Sequence, residues 1–542
     1  MKVTLRSALG MLAAPLPILA LAVAPAHAAV APQAVHGDLL PQVAHATQTG
    51  TVADSTAIPV TLSLKVRDQA GLDAFVKAVA DPKSPQYKHY LTVAQFRQRF
   101  GASAATVGKV TGYLRSQGLK VGKVSANGLT VEATGTAKQV QRAFGTKLAT
   151  FRQGAHRFFA NTAEPVLPAG VAAAVADIAG LNNYATYHHN SVGKAQPQAV
   201  SHAVTGLTPT KARSAYNVTS AISSGYNGSG VTVGLLEFSA FKQSNITTYD
   251  NYFSLSPSTP TVRSAGGGTT DLSGEDEVEL DIEVVQALAP KAAVKVYEAP
   301  NSDAGEVAVY AALVSDDVPV VSISWGIYEA GETASNRSAL NTDFQEAAAQ
   351  GQSVFAASGD SGSDDAGNGG TSVDFPASDP YVTGTGGTTL TLTSSGAWSK
   401  ETAWSSGGGG VSSYFATPSY QSSVNSGSYR AVPDVAADAN PSSGWAIYTQ
   451  GAWYEFGGTS AAAPNWAAFA AIYDSEANAV GASTFGYANS TIYNLAQSSA
   501  YSTAFHDVKS GSNGAYSAGT GYDKVTGWGS YNGAGFLSAE LG

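Results

Sequence analysis

Residues 457–464 read Gly457-Gly458-Thr459-Ser460-Ala461-Ala462-Ala463-Pro464 and lead into the apolar run Asn465–Tyr473. Glycine lets a backbone approach a bound chain closely, and a serine at a helix start meets unpaired N–H groups that favour developing negative charge. Ser460 is therefore the candidate nucleophile. Pro464 is expected in the first helical turn, where its missing N–H would have no helical partner.

A hydroxyl nucleophile needs a base. The nine histidines stand at positions 27, 36, 45, 89, 156, 188, 189, 202 and 506. None lies between the polar stretch near residue 200 and Ser460, and His506 follows the nucleophile, so an Asp-His-Ser order cannot be assembled. Carboxylates offer the substitute in Glu275-Asp276-Glu277-Val278-Glu279-Leu280-Asp281. On a helix Glu277 and Asp281 project from one face, an arrangement that costs stability when both are charged. Flanked by Val278, Leu280, Ile282, Val284 and Val285, they read as a buried functional pair, whereas Glu275, Asp276 and Glu279 read as a solvated face. An unperturbed glutamate titrates at about 4.3 and histidine at about 6.5, so in acid Glu277 still accepts a proton when an imidazole no longer can. Asp281 would orient Glu277 and share its proton, the pair titrating as a unit.

A fourth group is Asp360 in Ala357-Ser358-Gly359-Asp360-Ser361-Gly362, directly after the apolar run Val354–Ala357. The C-terminal end of a strand in an open α/β sheet faces the ligand crevice. A protonated Asp360 there could donate to a tetrahedral oxyanion.

The elements that must hold these residues are legible as patterns. Apolar runs at Val231–Leu236, Ala293–Tyr297, Val318–Ile323 and Val354–Ala357 alternate with helical segments such as Val278–Leu288 and Leu340–Ala349. Buried strands alternating with helices predict a parallel sheet covered on both faces. The first half differs. A strand at Pro59–Val66, helices at Gly71–Val79, Val93–Phe100, Ala105–Gln117 and Ala137–Phe144, and strands near Lys120–Val124, Leu129–Glu132 and Lys147–Phe151 predict a separate α+β unit of ordinary domain size. From His188 to Ala203 the composition is that of an exposed linker, a natural place to be cut, around Ala195 to Ala203.

At the start, Lys2 and Arg6, an apolar run and Ala26-His27-Ala28 predict an export signal over residues 1–28. No later stretch has the roughly 18 consecutive apolar residues of a membrane span. Cysteine is absent, so core packing or metal must replace disulfides. Only 13% of the 542 residues are charged, which limits the charge that builds up as carboxylates titrate in acid. From Ala29 to Lys194 there are 17 Lys and Arg against 8 Asp and Glu, a net of +9; from Ala195 onward there are 11 against 32, a net of −21. The basic residues are scattered, which argues against nucleic acid and for attraction between the two halves, loosened by acid.

Taken together, these residues resemble the sedolisin family of serine-carboxyl peptidases, with its kumamolisin-like and pseudomonalisin-like members the nearest in pattern. Asp81-Pro82-Lys83-Ser84-Pro85-Gln86-Tyr87, Tyr90-Leu91-Thr92 and Ala143-Phe144-Gly145 look like that family's activation propeptide. Glu277, Asp281, Asp360 and Ser460 match its base, orienting acid, oxyanion aspartate and nucleophile. Glu237 and Trp325 match a hydrogen-bond relay or a subsite lining. Asp507-Val508 with Gly519-Thr520-Gly521-Tyr522-Asp523 matches a calcium site, with two carboxylates and the carbonyls of Val508, Gly519 and Gly521 as hard oxygen ligands.

The resemblance implies a signal peptide at 1–28, an activation propeptide at 29–187, a linker with the processing site at 188–203 and a peptidase domain at 204–542. The implied folds are a ferredoxin-like α+β propeptide and a subtilisin-like three-layer α/β/α catalytic domain with a parallel sheet. The expected function is a secreted, acid-active endopeptidase, made as a self-processing zymogen, monomeric, holding one structural Ca²⁺ and inhibited by its own propeptide, with no nucleic-acid or membrane partner. Within the family the alternative is a tripeptidyl exopeptidase; outside it, a secreted binding protein on a dead peptidase fold.

Overall fold

The computed structural model describes Met1, Thr4 and residues 31–195 and 204–542. The expected export signal over residues 1–28 and the second half of the linker lie outside the described residues, Met1 and Thr4 apart.

In the first half, four antiparallel strands stand in the spatial order Lys120–Val124, Thr130–Thr136, Ala57–Leu64, Val175–Ala179. This order, with helices Gln69–Ala80 and Ala104–Ser116 in the first crossover and Ala137–Phe144 in the second, is the ferredoxin-like arrangement expected. Local chemistry sets the helix starts: Thr92 and Thr136 close capping boxes with Gln95 and Gln139, and Asp68 and Ser103 accept from backbone N–H groups three residues on. Leu72, Val79, Val110, Leu114, Val131 and Phe144 fill the core under the sheet.

The second half is built on an eight-stranded sheet. Thr261–Ser264, Ala293–Glu298, Thr232–Glu237, Val320–Ile323, Ser353–Ala357 and Thr383–Leu392 run parallel as neighbours in that order, and Trp398–Ala403 adds an antiparallel edge. Val435–Asp438 pairs in parallel with Thr383–Leu392. Helices Glu275–Leu288 and Thr459–Val480 pack against each other and this sheet. The second of these is buried from Thr459 through Ser475, so its alanines allow a close approach that larger side chains would block.

Two expectations change. Pro464 is the sixth helical residue, not a first-turn residue. Its missing N–H would have bonded the carbonyl of Ser460, four residues back, and that carbonyl is free for another donor. The first part of the linker is paired strand, not coil, although Val192, Gly193 and Lys194 are exposed as expected. His188–His189 pairs antiparallel with Trp325–Gly326, Val192–Ala195 pairs antiparallel with Tyr454–Gly457, and Asn190 between them is 2% exposed. Polar composition could not reveal this, because the pairing is made by main-chain groups that every residue carries.

The first-half domain sits on the helices Asp303–Ser315 and Ala334–Gln350. Thr61 donates to the Ala304 carbonyl at 2.8 Å, Gln345 to Asp73 at 2.6 Å and Gln42 to the Ala330 carbonyl at 2.7 Å, while Tyr90 packs against Gly351 and Gly486 and accepts from the Tyr487 N–H. Among the described residues no Lys or Arg of the first half lies within 4 Å of a carboxylate of the second. The charge split is therefore not converted into direct ion pairs with Lys or Arg.

Candidate active site

The parallel sheet delivers the chemistry at the C-terminal ends of its strands, as an open α/β sheet should. Glu237 ends Thr232–Glu237, Ser324 follows Val320–Ile323, and Ser358-Gly359-Asp360 follows Ser353–Ala357. Glu277 and Asp281 stand on successive turns of Glu275–Leu288, and Ser460 is the second residue of Thr459–Val480. Glu237, Glu277, Asp281 and Ser460 are all at 0% exposure. Glu275 and Glu279, expected on a solvated face, are also buried; Glu279 accepts from Asn245 and Lys242, and Glu275 pairs with Lys242 at 2.7 Å.

The carboxylates form a line. Trp325 Nε1 donates to Glu237 Oε2 at 2.8 Å. Glu237 and Asp281 lie within hydrogen-bonding reach of one another, which requires a proton between them, and burial followed by the neighbouring carboxylates pushes both well above the usual range. The Ser324 hydroxyl faces both Asp281 oxygens, at 2.9 and 2.8 Å, and the Ser460 carbonyl that Pro464 leaves free, at 3.3 Å. Among the described residues neither oxygen of Glu277 has a well-formed hydrogen bond, and Nδ1 of His189 lies 3.3 Å from Oε2. Burial alone would lower the His189 pKa, but Glu277, helped by Asp276 and Asp360, turns the shift upward.

Asp360 is the counterpart on the other side of Ser460. Its Oδ1 accepts from the Thr459 N–H at 2.8 Å and faces the Thr459 hydroxyl at 2.8 Å, while its buried Oδ2 has no partner among the described residues. Burial outweighs the Thr459 hydrogen bonds and raises its pKa to about 8, so in acid it carries a proton on a carboxyl with one free oxygen. Gly458, at φ +109°, opens the space beside it: a Cβ there would stand 2.2 Å from the Asn190 carbonyl oxygen and 2.7 Å from Asp360 Oδ2. The Ser460 N–H donates to that same Asn190 carbonyl at 2.9 Å. The Ser460 hydroxyl faces the Ser324 carbonyl at 3.4 Å, and among the described residues no hydrogen bond joins it to Glu277.

The structure thus gathers Ser460, Glu277, Asp281, Asp360, Glu237 and Trp325 at one cleft. Sequence reasoning missed Ser324, Thr459 and the linker residues His189 and Asn190. Thr459 stands in the 457–464 motif and Ser324 precedes Trp325, but both carry ordinary hydroxyls, and only the tertiary fold gives them partners. His506 stacks on Trp398 with ring centroids 4.0 Å apart, and burial lowers its pKa to about 4.

Away from the cleft, Asp507 and Asp523 face one turn: Gly521 N–H donates to Asp507 Oδ1 at 3.1 Å and Gly519 N–H to Asp523 Oδ2 at 2.9 Å. Two carboxylates on one glycine-rich turn are the oxygen donors a hard cation takes, so the residues fit the expected ion. In the cleft, His188, Asp365 and Asp374 bring ligand atoms within 4.8 Å of one another, but one of the three belongs to the linker.

A model described as the activation domain of pro-kumamolisin matches residues 44–184, and one described as the subtilase family matches residues 264–529. Kumamolisin of Bacillus sp. (strain MN-32) is 33% identical over 538 residues, covering 92% of this chain and 94% of that protein. The chain belongs to the sedolisin family. It is thus a serine-type peptidase carrying its own activation propeptide. Other family relatives include Tripeptidyl-peptidase 1 of Mus musculus, 26% identical over 89% of this chain and 91% of that protein. The structure of Pseudomonas sedolisin, a serine-carboxyl proteinase complexed with two molecules of pseudo-iodotyrostatin, superposes with a TM-score of 0.57 at 30% identity, over 62% of this chain and 98% of that one.

Proposed function

We propose that this sedolisin-family member is a secreted, acid-active endopeptidase that hydrolyses peptide bonds through an acyl-enzyme on Ser460. The observation that carries the reading is the meeting of the Ser460 N–H and the free oxygen of Asp360 beside one peptide carbonyl, with three buried carboxylates behind the serine. Ser460 Oγ attacks the carbonyl carbon and passes its proton to Glu277. The oxyanion is held by the Ser460 N–H and by protonated Asp360. Glu277 returns the proton to the leaving amine, and water then releases the acyl group by the same route. Asp281 orients Glu277 and stores a proton with Glu237, which Trp325 anchors in turn. Contacts between base and hydroxyl tighten only as the reacting complex forms, which reconciles this route with the present Ser460 rotamer.

Endopeptidase action is favoured over tripeptide release by the shape of the cleft. A chain in extended form passes along Trp325–Gly326 on one side of Ser460 and along Tyr454–Gly457 on the other. It continues past His188 to Tyr187, which is buried and bonded through its N–H to Asn301 at 2.9 Å, so the described residues leave room for a fourth residue on this side of Ser460. Digestion of a denatured protein tests this. Internal peptides of varied length are expected, and tripeptides alone would refute it.

Asp507 and Asp523, with the carbonyls of Val508, Gly519 and Gly521, would hold one structural Ca²⁺. Bound there, the ion supplies charge neutralisation and a cross-link between two loops, and takes no part in the reaction. The propeptide acts as an intramolecular inhibitor by filling the cleft.

A further inference from the structure

Residues 188–195 of the segment between the two domains are seated in the cleft as a substrate would be. The His188–His189 strand runs antiparallel to Trp325–Gly326, and the Asn190 N–H donates to the Ser324 carbonyl at 3.2 Å. The Asn190 carbonyl takes the Ser460 N–H at 2.9 Å. Beyond it, Val192–Ala195 runs antiparallel to Tyr454–Gly457. Gly458 has no side chain to oppose this approach; a Cβ there would stand 2.6 Å from Ser191 Cα as well as 2.2 Å from the Asn190 oxygen. Strand addition on both sides fixes the register, because a slip of one residue would break both pairings and move another carbonyl to Ser460.

We propose that the first processing cut falls at the Asn190–Ser191 bond, a placement that rests on the reading of Ser460 as nucleophile. Ser460 Oγ adds to the Asn190 carbonyl carbon while its proton goes to Glu277. The Asn190 C–Ser191 N bond breaks, Glu277 protonates the Ser191 nitrogen, and Asn190 remains as an ester on Ser460. Water then hydrolyses the ester, leaving a carboxylate at Asn190 and the hydroxyl of Ser460 restored. The propeptide ends at Asn190 and the catalytic chain begins at Ser191. His189, which precedes Asn190, stands against Glu277 and shares a hydrogen bond with the Ser191 hydroxyl at 3.0 Å, so the base is engaged by the segment it will cut until the imidazole moves.

The test uses the full precursor brought to acid and sampled early by intact mass and N-terminal sequencing, before trimming shortens the ends. A first product starting at Ser191, with a partner fragment ending at Asn190, is expected. Ser191→Pro, which removes no main-chain hydrogen bond among the described residues and blocks attack at this bond, should slow the first cut by about 100-fold or divert it. A synthetic peptide of residues 184–195, given to mature enzyme, should be split between the same two residues. First fragments starting elsewhere, or a peptide cut at another bond, would overturn the placement while Ser460→Ala remains intact and the nucleophile stands. Processing of Ser460→Ala alone would instead overturn the nucleophile and this placement together.

Discussion

At the scale of single residues, the site works by keeping some carboxyls neutral so that one can act as base. Asp360 is the most exposed to test. Its pKa is raised to about 8, so it holds the proton below that value and loses it as pH rises through it. Catalysis that needs an O–H on Asp360 should therefore fail on the alkaline side no later than this titration. Asp360→Ala should lower kcat about 100- to 1000-fold with little change in KM, as expected when one oxyanion donor is lost. A pH profile of kcat for wild type and Asp360→Asn checks the assignment, because the amide donates at every pH and should remove that limb. An unchanged limb in Asp360→Asn would place the titration on another group. Ser460→Ala and Glu277→Gln should each abolish peptide hydrolysis and self-processing, measured by product formation and intact mass. Trp325→Phe should be milder, since it removes one donor to Glu237 and leaves the Asp281–Glu237 proton in place.

Among the elements, the N-terminus of Thr459–Val480 and the loop from Asp507 to Thr526 carry the most consequence. Gly458→Ala should arrest the first cut, because the added methyl meets the Asn190 carbonyl and the backbone holds φ at +109°, a region an L-side chain resists. Intact mass after acid incubation reads this directly. Chelator should lower the melting temperature of the mature enzyme and calcium restore it, while Asp523→Asn should start at the lower value and ignore chelator. An equal chelator effect in Asp523→Asn would move the ion elsewhere. Much of this architecture was legible beforehand: the runs at 231–236, 293–297, 318–323 and 354–357 are neighbours in one parallel sheet, and the helix at 137–144 has the expected bounds. Periodicity and glycine placement are local signals, and these elements are local. The role of Ser324 was not legible, because its partners Asp281 and the Ser460 carbonyl lie 43 and 136 residues away. The strand pairing of the linker was not legible for a related reason: its order comes from two strand edges supplied by other parts of the chain.

For the whole molecule, the question is what holds the propeptide on and what lets it go. Net charges of +9 and −21 argue for attraction at neutral pH that fades in acid. Such attraction is screened over about 8–10 Å at ordinary salt, and no Lys or Arg pair crosses the described interface. What the interface does bury is acid. Asp38 and Asp177 of the propeptide lie against Asp303, Glu306 and Glu332 of the catalytic domain, with Glu164, the Tyr187 phenol and the Arg337 guanidinium facing the same cluster. Burial, followed by mutual repulsion for most of them, raises Asp38, Asp177, Asp303, Glu306 and Glu332 above their ordinary values. A group whose pKa is raised on docking stabilises the docked state fully below its free value, and that stability is lost as pH rises through the docked value. His189 acts in the same sense, since its pairing with Glu277 raises its pKa. The uncut precursor should therefore bind its propeptide more firmly in mild acid than near neutrality, and cleavage, not protonation of the interface, should be what frees it. Ser460→Ala, which cannot cut itself, isolates the effect. Its melting temperature should rise as pH falls from about 8 to about 5 and change little with added salt, and Asp38→Asn with Asp177→Asn should flatten that rise. A melting temperature that falls over the same interval and drops further with salt would show that long-range attraction between the two halves outweighs the buried acids.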